Sequence, residues 1–179
     1  MKGEFFNKIK WKHILLLFIS FLCMMAFMRY TAMQVKNISG GTGVLDLDFG
    51  NSVENIRQAI DALGNKGRSY YLTHFLVIDF FYAMVYAAFY FFTIAFLLQK
   101  NGIRRKRALN ICLFPIAGMF FDWSENLFLC ILIVKCSTMT ETLCLLFIIC
   151  NVIKFLFVYL SLLVVIMGVL YYFFRKVSG

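Results

Sequence analysis

Proline, histidine and charge are scarce in this sequence, and their scarcity argues against a water-soluble fold. Of 179 residues, one is proline and two are histidine; only 15 % are charged, whereas 62 % are hydrophobic. Soluble proteins average roughly 45–50 % apolar and about 25 % charged residues. A soluble fold of this size has too little interior to hide so much apolar surface. A bilayer accommodates it, because lipid is itself an apolar solvent.

Two kinds of cofactor site lack their ligands. The six cysteines contain no C-x-x-C pair, which argues against a membrane thiol oxidoreductase. His13 and His74 cannot by themselves supply a multi-histidine metal or haem site. We therefore expect no metal and no cofactor, and no motif names a catalytic residue. Cys136 and Cys144 flank one external turn, and the sequence leaves their pairing open.

The basic residues lie beside the ends of apolar runs. The formal net charge is +9, a value that in another context would suggest nucleic acid. A nucleic-acid surface, however, interleaves basic residues with stacking aromatic rings. We therefore expect no nucleic-acid partner. Basic flanks of this kind orient a chain in the membrane and contact anionic lipid heads.

Four apolar runs are long enough to cross a membrane, which takes about 20 residues each. The predicted fold is all-α: one domain, residues 1–179, that forms a four-helix transmembrane bundle. Its predicted spans are residues 13–33, 70–98, 108–134 and 142–174, with the extracytoplasmic segment 34–69 between the first two. No small-residue cleavage pattern follows the first run, so we interpret it as a retained span and not a signal peptide.

Lysine and arginine in the flanks predict the orientation. The block Arg104–Arg107, between the second and third spans, is the decisive signal. Lys8, Lys10 and Lys12 before the first span agree with it, as does Arg175-Lys176 after the last. The prediction is a multi-pass protein of the cell membrane with both termini in the cytoplasm.

The extracytoplasmic segment contains the pattern of a short amphipathic helix. Asn51-Ser-Val-Glu54 is able to form a capping box, with Asn51 as the cap. Apolar residues then recur at helical spacing, and Gly64 is a natural stop; they are Val53, Ile56, Ile60 and Leu63. We expect this helix to lie over the outer mouth of the bundle.

Each of the last three spans carries one polar stripe at three- and four-residue steps. The stripes are Asp79, Tyr82, Tyr86, Tyr90 and Thr93; Gly118, Asp122, Glu125 and Asn126; and Asn151, Lys154, Ser161 and Gly168. The charged members lie roughly 14–20 Å below the outer ends of their spans, so they can meet at one level. The predicted ligand-binding set is Asp79, Tyr82, Tyr86, Asp122, Glu125, Asn126, Asn151 and Lys154.

The predicted cluster holds three acids and one lysine. If all ionise, the surplus negative charge in a low dielectric is costly. A proton, a cation, a cationic ligand, or a rim group such as Arg29, Arg68 or His74 would neutralise it. The alternative is a network in which Lys154 balances its neighbours and only holds the helices together. Pro115 likewise has two interpretations: a kink that opens space in the bundle, or a tolerated membrane proline.

Two stretches of the chain carry a resemblance to known proteins. They are Asp48-Phe49-Gly50, Glu54, Leu63-Gly64 and Gly67–Tyr70 with Asp79 and Tyr86, and then Asp122-Trp-Ser-Glu-Asn126 with Lys154. The chain resembles a group of small bacterial four-span membrane proteins with a D-W-x-E-N motif, in which no activity is established. The resemblance covers most of the chain and implies the fold and the polar positions. Where the group has a proline near the aspartate of the second span, this chain has Phe80-Phe81.

The overall plan is also similar to that of the sterol isomerase-like EXPERA membrane proteins, whose bundles hold acidic residues around a lipid-sized cavity. Three hypotheses follow. The first is a membrane protein that binds or moves a lipidic or cationic amphiphilic ligand, with membrane lipids as partners. The second is an intramembrane acid–base enzyme acting on an isoprenoid or sterol-like lipid. The third is a structural or accessory subunit. The sequence predicts no oligomeric state.

Overall fold

The computed structural model describes residues 9–41, 44–45, 52–102 and 105–177, and of residues 105–108 the backbone alone. These ranges contain five helices: α1 (Trp11–Ile38), α2 (Val53–Ala62), α3 (Gly64–Lys100), α4 (Arg105–Val134) and α5 (Glu141–Val177). A π-helical turn at Tyr71–Phe75 lies within α3, and a 3-10 turn at Cys136–Thr138 precedes α5. The described part of the chain contains no strand.

Four of the helices are long and apolar enough to cross a membrane, which confirms the predicted all-α, four-span fold. The two helices that flank the segment between the first two spans are longer than predicted. α1 continues beyond residue 33 to Ile38, and α3 begins at Gly64 instead of residue 70. Much of segment 34–69 is therefore helical. The helices outlast their apolar runs because a helical backbone satisfies its own hydrogen bonds with or without lipid around it.

The two middle spans form the centre of the bundle. α3 packs against α1, α4 and α5, and α4 packs against α3 and α5. α1 is peripheral, since Thr31 and Val35 are the only buried residues along it. α1 and α5 make no extensive contact with each other. A space therefore lies between them over the face of α3.

The amphipathic helix α2 covers the end of the bundle at which α1 ends and α3 begins, as the apolar pattern predicts. Ile56 and Ile60 are fully buried, and they join a core with residues of α1, α3, α4 and α5. The predicted cap was one residue too early: Ser52 is the N-cap, and its hydroxyl accepts from the amide of Asn55. Glu54 does not close a capping box but accepts from the side chain of Gln58. Asn51 lies outside the described residues.

A close approach between α4 and α5 brings the third and fourth spans together at mid-bundle. A Cβ added to Gly118 would lie 3.5 Å from the Cβ of Phe157 and 3.8 Å from the carbonyl oxygen of Lys154. Small residues permit such approaches between membrane helices. Nearby, α4 continues as α-helix through Pro115, which is fully buried. Both interpretations of this proline therefore stay predictions.

Candidate functional site

The polar residues of three helices converge between two apolar cores, one in each half of the bundle. We call six of these residues the polar cluster: Asp79 from α3, Asp122, Glu125 and Asn126 from α4, and Asn151 and Lys154 from α5. Each is at most 8 % exposed. Three- and four-residue steps along each helix hold them on one inward face, as the stripes predict.

Glu125 is the most deeply enclosed acid of the polar cluster. Its side chain is fully buried, and one carboxyl oxygen lies 2.5 Å from the Nζ of Lys154. The side-chain amide of Asn151 donates to the other oxygen at 2.8 Å. Both of these partners come from α5. These contacts form a sub-network that ties α4 to α5. They resemble the alternative in which Lys154 balances its neighbours and only holds the helices together.

Asp122 and Asp79 occupy a different environment. The hydroxyl of Tyr86 donates to Asp122 at 3.0 Å, and Lys154 Nζ lies 3.8 Å from the other carboxyl oxygen. Asp79 accepts from the side-chain amide of Asn126 at 2.7 Å. These contacts join α3 to α4, and Lys154 links them to the Glu125 sub-network.

A cavity of about 330 Å³ opens beside Asp79 and Asp122, in the space between α1 and α5. We call it the α1–α5 cavity. Its charged and hydroxyl-bearing lining is Arg29, Asp79, Tyr82, Tyr86, Tyr90, Asp122 and Lys154. The rest of the wall is apolar: Phe21, Met25, Met28, Ala32, Phe75, Phe155 and Val158. An apolar slot with a few converging polar groups is the usual form of a small-molecule site.

The structure divides the predicted ligand-binding set into two layers. Five of its eight members line the α1–α5 cavity: Asp79, Tyr82, Tyr86, Asp122 and Lys154. The other three, Glu125, Asn126 and Asn151, lie behind them and bond to Lys154, Asp79 or one another. The second layer holds the first in place. Asn126 also touches a shallow groove on the other side of α3, beside Trp123.

The stripes did not indicate the contribution of α1 to this cavity. Phe21, Met25, Met28 and Ala32 line it from one face of that helix. Their spacing of three and four residues was visible in the sequence, but every face of α1 is apolar. The spacing therefore carried no signal that distinguished a cavity wall from a lipid-facing surface.

The charge count of the polar cluster is the one the sequence suggested, with three carboxyl groups and one ammonium group within it. Two of the carboxyls contact Lys154, and the third, Asp79, faces the cavity. Arg29 also lines the cavity, but its side chain is exposed. The rim candidates Arg68 and His74 are not among the lining residues. Arg68 instead lies beside the end of α2 and the turn before α5.

All six cysteines lie in the described part of the chain, and all are free thiols. Cys136 and Cys144 are therefore unbridged, and the Sγ of Cys136 accepts from the guanidinium of Arg68. The described residues contain no group of three histidine, cysteine or acidic side chains arranged to hold a metal ion.

The comparisons with known proteins add no neighbour. No family model matches the sequence, and no curated protein or solved structure is significantly similar to it. The resemblance to the D-W-x-E-N proteins thus stays a prediction. The geometry of the polar cluster and its cavity carries the functional argument.

Proposed function

We propose that this membrane protein binds an amphiphilic molecule with a cationic head, and that the head occupies the α1–α5 cavity. The observation that carries the proposal is that two acids of the polar cluster, Asp79 and Asp122, line a cavity with mainly apolar and aromatic walls, where Lys154 is the one ammonium among three carboxyls. If all three carboxyls of the polar cluster ionise, Lys154 balances only part of their negative charge. A cationic head would balance more of it. The surrounding low dielectric strengthens that attraction.

The walls suit such a head group as well as the acids do. Six aromatic side chains line the cavity; they are Phe21, Phe75, Tyr82, Tyr86, Tyr90 and Phe155. The faces of aromatic rings attract cations, and aromatic cages are a known means of recognising ammonium groups. Tyrosine also places a polar tip beside an apolar body. The wall thus favours a cation that carries apolar substituents over a hydrated inorganic ion.

The size of the cavity limits how much of the ligand enters. Its 330 Å³ lies near the lower end of ligand pockets, which run from roughly 300 to 1,000 Å³. A head group and the start of a chain fit within it, but a whole phospholipid does not. The incomplete contact between α1 and α5 leaves room for the tail to extend into the bilayer. Membrane lipids are then the natural source of the ligand.

The polar residues behind the cavity have a supporting role in this proposal. Within the D-W-S-E-N segment, Asp122 faces the ligand, Glu125 holds Lys154, and Asn126 holds Asp79. The motif would then encode one ligand contact and two positioning contacts. These three roles would explain why the D-W-x-E-N motif occurs in the four-span group that the chain resembles.

Native mass spectrometry of the purified protein tests the proposal with a single-chain alkylammonium as the probe. We expect the wild type to bind it, and Asp79→Asn/Asp122→Asn to bind at least tenfold more weakly, because both carboxylates at the cavity are lost. Glu54→Gln is the matched control, since this acid is exposed on α2. A thermal melt of each variant in the same detergent shows whether it is folded. Equal binding by the folded double variant and the wild type would refute the proposal.

A second function, intramembrane acid–base catalysis, is favoured by the unequal surroundings of the two carboxyls at the cavity. Asp122 contacts Lys154 and Tyr86, whereas Asp79 accepts an amide hydrogen bond. Carboxyl pairs in unequal environments can serve as acid and base. One carboxyl would give a proton to an alkene carbon and the other would remove a proton two carbons away. The double bond moves and no other reactant is needed.

Deuterium exchange distinguishes this enzyme from a binding protein. Proteoliposomes are incubated in D₂O with an isoprenoid or sterol-like alkene, and turnover replaces a C–H bond by C–D. Asp79→Asn should abolish the incorporation, while Tyr159→Phe, an exposed tyrosine of α5, should retain it. Wild type that incorporates no deuterium would leave the binding function as the better account.

A further inference from the structure

Arg29 carries a charge within a long apolar helix and lines the α1–α5 cavity. A charged side chain inside a span is costly unless it reaches the interface or a partner. The ion pairs among the described residues are formed by Arg68 and Lys154, and none involves Arg29. No ion pair within the described part of the chain thus occupies this guanidinium, which lies at the cavity where an anion can reach it.

The position of Arg29 along α1 would let its side chain reach the level of lipid phosphates. At 1.5 Å per residue, it lies roughly 27 Å along the axis of α1 from Trp11, where that helix begins. The hydrocarbon core is about 30 Å thick. If Trp11 marks one interface, where tryptophan is enriched, Arg29 lies close to the other. Its long side chain can then reach the head-group layer while its stem stays in the wall.

Arg29 also lies at nearly the same level as Asp79. α1 and α3 run antiparallel, and the ring of Phe21 stacks on Tyr82 and meets the edge of Tyr90. Counting outward from that contact along both helices places Arg29 beside the turn of α3 that carries Asp79. The cavity thus has a guanidinium on its exposed wall and two carboxyl groups at its floor, at similar depth. Lys154 also reaches the floor, and its nearest acid is Glu125.

On this basis we infer that the ligand is zwitterionic: a phospholipid head whose phosphate binds Arg29 and whose amine binds Asp79 and Asp122. The inference rests on the proposed function and adds a second contact to it. A guanidinium is the side chain best suited to phosphate, because its planar fork donates two parallel hydrogen bonds. A primary ammonium donates its own hydrogen bonds to the two carboxyls. The phosphoethanolamine head places both charges within one cavity-sized group.

This arrangement selects against the two half-ligands. An anionic phospholipid that lacks the amine would present hydroxyls or further negative charge to Asp79 and Asp122. An alkylamine that lacks phosphate would leave Arg29 unused. Specificity of this kind combines an attraction with a repulsion. We expect the zwitterionic lipid to bind at least tenfold more tightly than either, which corresponds to about 1.4 kcal/mol.

Competition in native mass spectrometry tests the inference with three single-chain probes of equal length: lysophosphatidylethanolamine, lysophosphatidylglycerol and an alkylamine. Wild type should prefer lysophosphatidylethanolamine. Arg29→Gln should keep the alkylamine and lose the preference over it. Lys36→Gln is the matched control, because this exposed lysine of α1 is not among the lining residues. Arg29 is itself exposed, so its variant should fold, and a thermal melt confirms this.

The outcomes separate the inference from the proposed function. If Arg29→Gln binds lysophosphatidylethanolamine and the alkylamine in the same ratio as the wild type does, the phosphate contact is wrong. The binding of a cationic head then stands. If lysophosphatidylglycerol binds as well as lysophosphatidylethanolamine, the amine contact is wrong, and both proposals fall. If Arg29→Gln removes the preference and Asp79→Asn/Asp122→Asn removes amine binding, both are supported.

Discussion

Lys154 balances two acids at once, and the stability of the bundle should depend on it. Its ammonium lies 2.5 Å from Glu125 and 3.8 Å from Asp122. Replacing it with methionine preserves volume but leaves buried carboxyls without their cation. Removing one partner of a buried ion pair typically costs about 3–5 kcal/mol. We therefore predict that Lys154→Met lowers the free energy of unfolding by that amount, measured by reversible denaturation in mixed micelles.

The same variant shows how the energy of the network is divided. Lys154→Met/Glu125→Gln should recover most of the loss, because the amide needs no cation. Lys135→Met, an exposed lysine between α4 and α5, should change stability by less than about 0.5 kcal/mol. If Lys154→Met is as stable as wild type, the ion pair is not a stabilising element. If the double variant is stable and also keeps ligand binding, a structural role for Lys154 is sufficient.

For single residues, the sequence predicted which side chains face the interior of the bundle. It did not predict which of them reach the cavity. The steps from Asp122 to Glu125 and Asn126 place all three on one helix face, and all three are buried. Only Asp122 reaches the cavity, whereas Glu125 contacts Lys154 behind it. That distinction depends on where α1 lies and on rotamers. Neither is encoded in the spacing along α4.

Arg68 fastens the cap, which is helix α2, to the rest of the bundle. Its Nε donates to the carbonyl oxygen of Ile60 at 3.1 Å, and a guanidinium nitrogen lies 3.7 Å from Asp61, which places both contacts at the end of α2. The same guanidinium donates to the Sγ of Cys136 in the turn before α5. One side chain of α3 thus joins α2 to the turn between α4 and α5.

Losing these contacts should loosen the cap more than the bundle. We predict that Arg68→Gln raises the rate of amide hydrogen exchange in α2 by about tenfold or more and leaves α3 and α4 nearly unchanged. Local opening costs less than global unfolding, and each lost hydrogen bond is worth about 0.5–1.5 kcal/mol. Arg57→Gln, exposed on α2, is the control. Equal exchange in Arg68→Gln and wild type would show that apolar packing alone holds the cap.

The elements were predicted unequally well, for physical reasons. α2 was recognisable because Ile56 and Ile60 recur at helical spacing next to polar residues. The π-helical turn at Tyr71–Phe75 was not predicted, because no residue in that stretch marks such a turn. Tyr71 is fully buried, and its hydroxyl accepts from the amide of Leu45, between α1 and α2. A π-helical turn holds more residues than an α-helical turn. It therefore rotates the start of α3, where Arg68 contacts α2, relative to Asp79.

For the molecule as a whole, three of the spans are held together more firmly than the fourth. α3, α4 and α5 are joined by hydrogen bonds or ion pairs that cross between helices. α1 is held to α3 mainly by aromatic contacts such as Phe21 with Phe89. The apolar part of this packing is non-directional, so α1 can shift without losing all of it. The wall of the cavity that α1 supplies is thus the part best able to adjust to a ligand.

The orientation of the whole molecule in the membrane is the remaining prediction from the sequence. Four spans place both termini on one side, and the basic block Arg104–Arg107 assigns that side to the cytoplasm. A fluorescent protein that matures only in the cytoplasm should therefore be bright at either terminus. Alkaline phosphatase inserted beside Gln58 should be active only outside.

Replacing the block with four glutamines should give a mixed population, because the remaining basic flanks give a weaker bias. Lys66→Gln/Lys135→Gln, on the predicted outer side, should leave the orientation unchanged. Dark terminal fusions together with inactive phosphatase would invert the topology and place the mouth of the α1–α5 cavity in the cytoplasmic leaflet.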